Sequence, residues 1–316
     1  MLVLARGTTT RVIPARVKGA AAMVAVVLTA HFYGQGSAAQ FPLQEDLIGT
    51  VGTHVVTEEE TLLDIARQHE LGYVELRAAN PGIDPWLPGD ETRVLLPTAH
   101  LLPDAPRRGI VINLADQRLY YFSKGARTVL TFPIGTPRDG AMTPIGTTTI
   151  VNKRPNPTWF PPPSLRAENP DLPLSVPPGP DNPLGAFALS LAWPSYVIHG
   201  TNKPDGVGRR VSHGCIRLYP ESIETLYPMV PVGTLVTTVD QPVKVGMAGG
   251  ALYLEVHPSQ GEIDEVEASG AVESPAPLGV ETYVRAKAGA MLDQVDWALV
   301  ERTARERRGL PVRIAR

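Results

Sequence analysis

Cysteine is almost missing from this chain: Cys215 is the only one in 316 residues. That excludes an intrachain disulfide and leaves a lone thiol to be explained. Aromatic residues are sparse at 6%, and charge of one sign is lacking, since Lys+Arg 29 against Asp+Glu 32 leaves a net charge of -3. Nothing global therefore points to nucleic acid as a partner. The apolar run from Ala20 to Ala30 falls well short of the ~20 residues that span a bilayer. What the chain has in excess is proline, 32 in all, and 11 of these lie between residues 155 and 183. The length and the 43% hydrophobic content suit a globular protein of two or three units.

The N-terminus has the character of an address. Arg6, Arg11, Arg16 and Lys18 precede the apolar run, and Ser37, Ala38 and Ala39 offer small residues at a cleavage point before Gln40. Residues 1–39 are therefore expected to be an export signal, the alternative being an uncleaved N-terminal anchor. No cysteine lies near the cleavage point, which excludes lipoprotein processing. Export leads to an oxidising compartment, where a solitary thiol is either buried and inert or kept for its reactivity.

Residues 50–98 read as a small βααβ unit. His54–Val56 suits a strand, Thr57 with Glu60 fits a capping box, and Leu62, Leu63, Ile65 and Ala66 give a helical apolar face. A second helix is expected from Tyr73 to Ala79, stopped by Asn80-Pro81-Gly82, and Arg93–Leu96 closes as a strand. Pro103–Pro106 is a linker, after which residues 107–240 are mainly β. Ile110–Leu114 and Leu119–Phe122 form a hairpin, and Thr128–Pro133, Gly146–Asn152, Ala186–Leu191, Tyr196–His199 and Thr234–Val239 continue the strands. The proline-rich stretch cannot be a central strand, because proline lacks the donor a ladder needs. Flanked by strands, it is expected to be a stiff lid. Pro220–Tyr227 suits a short helix. In residues 241–316 a hairpin at Val243–Val245 and Leu252–Val256 is expected, then a stretch low in order signals from Gly261 to Leu278, then one helix from Glu281 to Arg308. Arg302, Arg305, Arg307 and Arg308 near its end suit the helix dipole and a solvated face; an anionic partner surface is the weaker reading.

The chemistry is concentrated in His199-Gly200-Thr201 and Ser212-His213-Gly214-Cys215-Ile216-Arg217-Leu218. A thiol attacks as its thiolate and needs a base, a positive field and donors for the oxyanion it creates. His199, at a strand end, is the base candidate. Gly214 leaves room for substrate and lets the N–H groups of Gly214 and Cys215 face it. Arg217, two residues on in extended chain, shares a face with Cys215 and suits a substrate carboxylate. Taken singly, each residue favours a bland role: a buried small apolar side chain, a satisfied histidine, a solvated arginine. Zinc on His199, His213 and Cys215 is a rival chemistry, disfavoured by the tight His-x-Cys spacing and the lack of a fourth ligand.

These motifs, with the sixteen-residue step from His199 to Cys215, resemble the L,D-transpeptidases, the YkuD or ErfK/YbiS type of domain. The resemblance runs from about Arg107 to Asp240 and takes in Thr143-Pro144-Ile145-Gly146, Trp159 and Asn182-Pro183-Leu184-Gly185. The unit at 50–98 resembles a LysM module through Thr61-Leu62, Ile65-Ala66, Leu76, Asn80-Pro81, Leu87, Gly89 and Leu96-Pro97, with Glu58-Glu59 standing where Gly-Asp is usual. The resemblance implies a YkuD-like β-sandwich catalytic domain and a periplasmic enzyme with no cofactor and no metal. It implies that Cys215 forms an acyl-enzyme at the third residue of a tetrapeptide stem and releases D-alanine. His199 is then the base, oriented by the carbonyl of Gly200; Gly214, His213 and Ser212 shape the oxyanion site, and Arg217 and Trp159 meet substrate. The implied partners are peptidoglycan stem peptides and glycan, an amine acceptor on a neighbouring stem or an outer-membrane lipoprotein, and carbapenem-type inhibitors. A hydrolase of the same bond and a non-catalytic wall-binding protein are the alternatives.

Overall fold

The structure, a computed structural model, describes residues 39–125, 127–138, 143–273 and 275–316. Of the expected export signal, residues 1–39, all but Ala39 lie outside the described residues, and Ala39 is the first residue of a strand. No described helix is long and apolar enough to cross a membrane.

The described residues open with β1 (Ala39–Pro42) and β2 (Leu47–Gly49), followed by the small unit β3 (Gly52–Val55), α1 (Leu62–Gln68), α2 (Tyr73–Ala79) and β4 (Arg93–Leu96). β3 and β4 pair antiparallel, and Leu62, Ile65, Ala66, Leu76 and Val94 form its buried core. The cap of α1 differs from expectation. Thr61, not Thr57, is the N-cap, its hydroxyl accepting from Asp64 N at 3.2 Å while the Asp64 carboxylate accepts from Thr61 N at 3.0 Å. Thr57 and Glu60 close only a turn, because Glu59 sits at φ 73 and takes the chain out of the helix.

After β5 (Ala99–Leu101), which pairs with β2, come β6 (Gly109–Asn113), β7 (Arg118–Phe122), β8 (Thr128–Pro133), β9 (Thr136–Pro137), β10 (Gly146–Pro155), α3 (Pro163–Glu168), β11 (Phe187–Leu191), β12 (Val197–His199), β13 (Arg210–Ser212), β14 (Ile216–Arg217), α4 (Pro220–Met229) and β15 (Leu235–Val239). Nine strands make one sheet in the order β1-β8-β7-β6-β15-β10-β11-β12-β14. The long β10 belongs to both halves: its partner changes from β15 to β11 between Thr149 and Ile150, and its register with β11 shifts just after, between Ile150 and Asn152. Ile110, Leu119 and Phe132 from one half share a core with Leu189, Ile198 and Ile216 from the other. The sheet is thus mainly antiparallel and curled around one apolar centre, with α4 packed on it through Ile223 and Leu226.

The C-terminal part carries β16 (Val243–Ala248), β17 (Ala251–Val256), α5 (Ile263–Ser269), α6 (Val280–Ala288), α7 (Trp297–Glu306) and β18 (Val312–Ala315). The single helix expected over 281–308 is broken: α6 stops at Gly289 (φ 50), a 3-10 segment follows, and α7 starts afresh with Asp296 capping Leu299 N at 2.9 Å. β18 adds a third strand to the expected hairpin.

A buried ionic knot joins these parts. Arg118, 1% exposed, donates to the Glu75 carboxylate of α2 at 2.7 Å and to Thr131 Oγ1 at 3.0 Å. Lys244 lies 2.8 Å from Asp116 and 2.6 Å from Glu255, and His257 Nε2 lies 2.6 Å from the same Glu255 oxygen. Tyr120 OH donates to Asp116 at 2.8 Å. Burial pushes the Glu75 carboxyl upward while the Arg118 charge pulls it down. Deleting one partner of such a pair strands the other charge in a low dielectric, at a cost of roughly 3–5 kcal/mol, whereas an apolar replacement of both is nearly neutral. Arg118→Met is therefore expected to lower the urea unfolding free energy by about that amount, and Arg118→Met with Glu75→Leu to recover most of it; equal midpoints for the single and double variants would contradict this.

Candidate active site

Two short strands set the geometry. β12 and β14 run parallel, with Ile198 opposite Ile216 and His199 opposite Arg217, and Leu218 N donates to His199 O at 2.9 Å. Ile198 and Ile216 are buried in the core, so alternation turns His199, Cys215 and Arg217 to the other face. β14 is held on its far side by a reciprocal pair of backbone bonds to Gly135, at 2.8 and 3.1 Å.

His199 is 4% exposed. Its Nδ1 lies 2.5 Å from the carbonyl of Gly200, which fixes the proton on Nδ1 and leaves the Nε2 lone pair as the acceptor. The Leu184 carbonyl is a second acceptor beside the ring. Gly200 is required by space: a Cβ there would lie 2.9 Å from Ile223 Cγ2. Burial first, and the Arg217 charge second, hold the His199 pKa down to about 4, against the pull of the two carbonyls. Burial pushes the Cys215 thiol upward, partly offset by the Val197 backbone and by Arg217. Both shifts favour a neutral thiol and a neutral imidazole at rest. Arg217 acts on the two groups in opposite senses, disfavouring imidazolium and favouring thiolate; its own pKa is lowered by burial.

The turn before Cys215 is tightly tied. Ser212 Oγ donates to Cys215 O at 2.6 Å, Thr143 Oγ1 donates to Gly214 O at 3.1 Å, and the thiol points to Ser195 O at 3.7 Å. Gly214 adopts φ 111, which a side chain rarely tolerates, and a Cβ would press on the Tyr196 ring at 3.3 Å. His213 turns away to the proline stretch, with Nε2 3.2 Å from Glu168 at the end of α3; Arg138 holds the same carboxylate oxygen at 2.5 Å. The three zinc candidates His199, His213 and Cys215 do not converge to ligating distance among the described residues. Asp116, Glu255 and His257 do converge, but the Lys244 ammonium already bonds both carboxylates there.

The proline stretch reaches back to the histidine. Asn182 is fully buried; its Nδ2 donates to Pro157 O at 2.7 Å and Pro177 O at 3.1 Å, and its Oδ1 accepts from Leu184 N at 2.9 Å. One side chain thus joins both arms of the stretch and sets the Leu184 carbonyl against His199. Trp159 bridges Val176 through reciprocal backbone bonds of 2.9 Å and is half-buried, while Phe160 is exposed. Asn182, Thr143 and Glu168 were absent from the expected site residues. The signal for Asn182 was present in Asn182-Pro183-Leu184-Gly185, an amide-bearing turn leading into a strand; nothing local marks Glu168.

A family model of the L,D-transpeptidase catalytic domain (YkuD) matches residues 107–245. The Probable L,D-transpeptidase YbiS of Escherichia coli (strain K12) is 39% identical over 294 residues, covering 90% of this chain and 94% of that protein. The chain belongs to the L,D-transpeptidase family. Another relative, the Probable L,D-transpeptidase ErfK/SrfK of Salmonella typhimurium, is 37% identical over 302 residues, 92% of this chain and 94% of its own length. Among solved structures, an L,D-transpeptidase from Mycobacterium smegmatis aligns at 22% identity and a TM-score of 0.32 over 47% of this chain and 63% of that one. As a member of this family the protein is an L,D-transpeptidase, an enzyme of peptidoglycan chemistry.

The buried histidine has a thermodynamic consequence. Its pKa lies at about 4 in the folded state and 6.5 in the unfolded chain, so between these values only the unfolded state takes up the proton. The contribution is absent from the pH dependence above 6.5 and destabilises progressively as pH falls toward 4, by about 3 kcal/mol at the acid end. Urea unfolding of the wild type and of His199→Gln from pH 7 to pH 4 is expected to show this acid slope in the difference between them; parallel curves would show that His199 is not held neutral.

Proposed function

We propose that this protein is an exported, periplasmic L,D-transpeptidase that works through a Cys215 acyl-enzyme. The observation that supports this most directly is a neutral imidazole, with Nδ1 tied to Gly200 O, on the same face of a parallel strand pair as Cys215 and Arg217. In the proposed cycle Arg217 and Trp159 receive a tetrapeptide stem and its carboxylate. The thiol proton passes to His199 Nε2 as the S–C bond forms at the carbonyl of the third residue, and the N–H groups of Gly214 and Cys215 take the oxyanion. Collapse breaks the C–N bond, and His199 returns the proton to the leaving D-alanine amine. An acceptor amine then attacks the thioester, gives its proton to His199 and restores the thiol. Because thiol and imidazole are both neutral at rest, the base acts during attack rather than beforehand. Ser212 and His213 shape the turn. Carbapenem-type inhibitors, which carry an acylating carbonyl, are expected to trap Cys215.

The assignment extends to the flanking regions: residues 1–39 as the export signal, 50–98 as a LysM-like peptidoglycan-binding module, 107–240 as the catalytic domain and 241–316 as a C-terminal region. The strand–helix–helix–strand order of the small unit supports the module reading. The acceptor is either a neighbouring stem, giving a 3-3 cross-link, or a lysine of an outer-membrane lipoprotein; the module-plus-tail arrangement favours the second.

Incubation of the purified protein with tetrapeptide muropeptides, with and without a lysine-bearing acceptor peptide, separates these outcomes by mass spectrometry. Loss of D-alanine with a dimer or an acceptor adduct is expected, abolished in Cys215→Ala and reduced at least ~10²-fold in His199→Ala. A tripeptide product alone would make the enzyme a hydrolase, and unchanged products from Cys215→Ala would remove the acyl-enzyme.

A further inference from the structure

The segment between His199 and Cys215 does not stand on the catalytic sheet alone. Gly208 lies near its middle. Its N–H donates to Ile134 O at 3.1 Å, the sheet side, while its carbonyl accepts from Val74 N at 3.1 Å, in the first turn of α2. The two backbones meet glycine to glycine. A Cβ on Gly208 would lie 2.3 Å from Gly72 Cα and 2.3 Å from Tyr73 N, and a Cβ on Gly72 would lie 2.9 Å from Gly208 Cα. Gly208 also adopts φ 73. The next residue continues the contact: the Arg209 guanidinium lies 5.5 Å from the Tyr73 ring centroid and pairs with Glu267 of α5, while Arg209 O accepts from Thr136 N at 3.0 Å. Three residues later the chain is Ser212, whose hydroxyl holds Cys215 O.

The start of α2 is itself anchored to the catalytic sheet. Gly72 N donates to the Glu75 carboxylate at 3.0 Å, and the same Glu75 oxygen accepts from buried Arg118 of β7 at 2.7 Å. A continuous path of short polar contacts thus runs from β7 through α2 to the segment that carries the nucleophile. On the other flank of β14, Tyr219 OH donates to Leu71 O at 3.1 Å, and Arg67 grips Glu221 with two bonds of 2.9 and 3.1 Å. The small unit therefore touches the chain both before and after Cys215.

We infer that α2 of the small unit is a positioning element for the reacting residues, clasping Gly208 through Gly72 and Val74, so that this unit serves catalysis itself and not only attachment to the wall. The inference rests on the Cys215 reaction proposed above. It makes Gly72, Gly208 and the Arg118–Glu75 pair positioning residues rather than groups that touch substrate.

The test uses the full chain carrying Gly208→Ala or Gly72→Ala, a soluble tetrapeptide that needs no wall attachment, and iodoacetamide alkylation of Cys215 as a second readout, with circular dichroism and a thermal melt to verify folding. A displacement of about 1 Å at a reacting group costs on the order of 10²-fold in rate. Gly208→Ala is expected to lose roughly that much kcat with little change in KM, and Gly72→Ala, whose clash is milder, to lose less in the same direction. Alkylation at neutral pH is expected to become faster in both folded variants, because a loosened segment relieves the burial that holds the thiol upward. General destabilisation would also speed alkylation but would lower the melting temperature, so the rates are compared well below the melts of all variants, where only the local change at the segment remains. Native kcat and native alkylation in the folded variants would overturn the inference, as would a loss of kcat with unchanged alkylation. If Gly208→Ala does not fold, Gly72→Ala decides by the same two criteria. If the wild type fails to process the tetrapeptide, the proposed function is at fault, and the alkylation rates alone then decide the clasp.

Discussion

A strand of two residues cannot hold itself, and the site depends on one. β14 consists of Ile216 and Arg217, at the edge of a nine-stranded sheet, and its pairing with β12 is what brings the histidine and the thiol to a common face. Isolated pairing of this length is marginal in water, so its register must come from elsewhere. It comes from Ile198 and Ile216 buried in the common core, from Gly135 on the open edge, and from Ser212 and Thr143, which bond the carbonyls just before it. The glycines at 200, 208 and 214 serve the same constraint, since at each a side chain would displace a neighbour that fixes the strand.

The ionic knot bears on that constraint at a distance. Taking Arg118, Lys244, Asp116, Glu255 and Glu75 out of water costs desolvation that their mutual attraction only partly repays, so the knot is weak as a source of stability. Its value lies in geometry. A charge-assisted bond has one acceptable partner, whereas an apolar surface slides, and here the partners are spread over α2, β7, β16 and β17. The arrangement fixes how the small unit and the C-terminal strands meet the sheet. That orientation is what lets the first turn of α2 reach Gly208.

Legibility in the sequence followed the range of the forces involved. The strands of the sheet and the helix at 73–79 were readable because alternation, helical periodicity and turn residues are local, and the concentration of His199, Cys215 and Arg217 was readable because the chemistry itself requires those side-chain types close together. The capping box expected at Thr57–Glu60 gives way to one at Thr61–Asp64, because the left-handed conformation of Glu59 takes the chain out of the helix before Thr61. α5 was not visible because what holds it is remote: Ile263 and Val266 complete the core of the small unit, and Arg77 donates to Ala268 O at 3.0 Å. The proline stretch was recognisable as stiff, yet its α3 and its attachment through Asn182 and Glu168 depend on where distant carbonyls and His213 arrive in space. A single helix of about eight turns over 281–308 was the natural reading of its composition, and Gly289 at positive φ overrides it.

The neutral resting pair has a cost and a use. A thiol raised above its ordinary value is a poor nucleophile until a base accepts its proton, so in the proposed acyl-enzyme cycle attack is concerted with transfer to an imidazole that is itself a weak base at a pKa of about 4. The weakness is smaller than it looks, because Arg217 favours the thiolate as it forms and a bound, water-excluding substrate strengthens that interaction further. In return the thiol at rest is protonated and half-buried. Oxidants and disulfides react with thiolate, so in the oxidising compartment to which the proposed signal leads, a solitary cysteine held neutral escapes the sulfenic and mixed-disulfide states that would inactivate it. A preformed thiolate–imidazolium pair would gain reactivity toward every electrophile, substrate or not. Buried His199 and half-buried Cys215 on one face select against that, and in the proposed cycle they confine nucleophilicity to the moment when an acyl donor occupies the space beside Arg217.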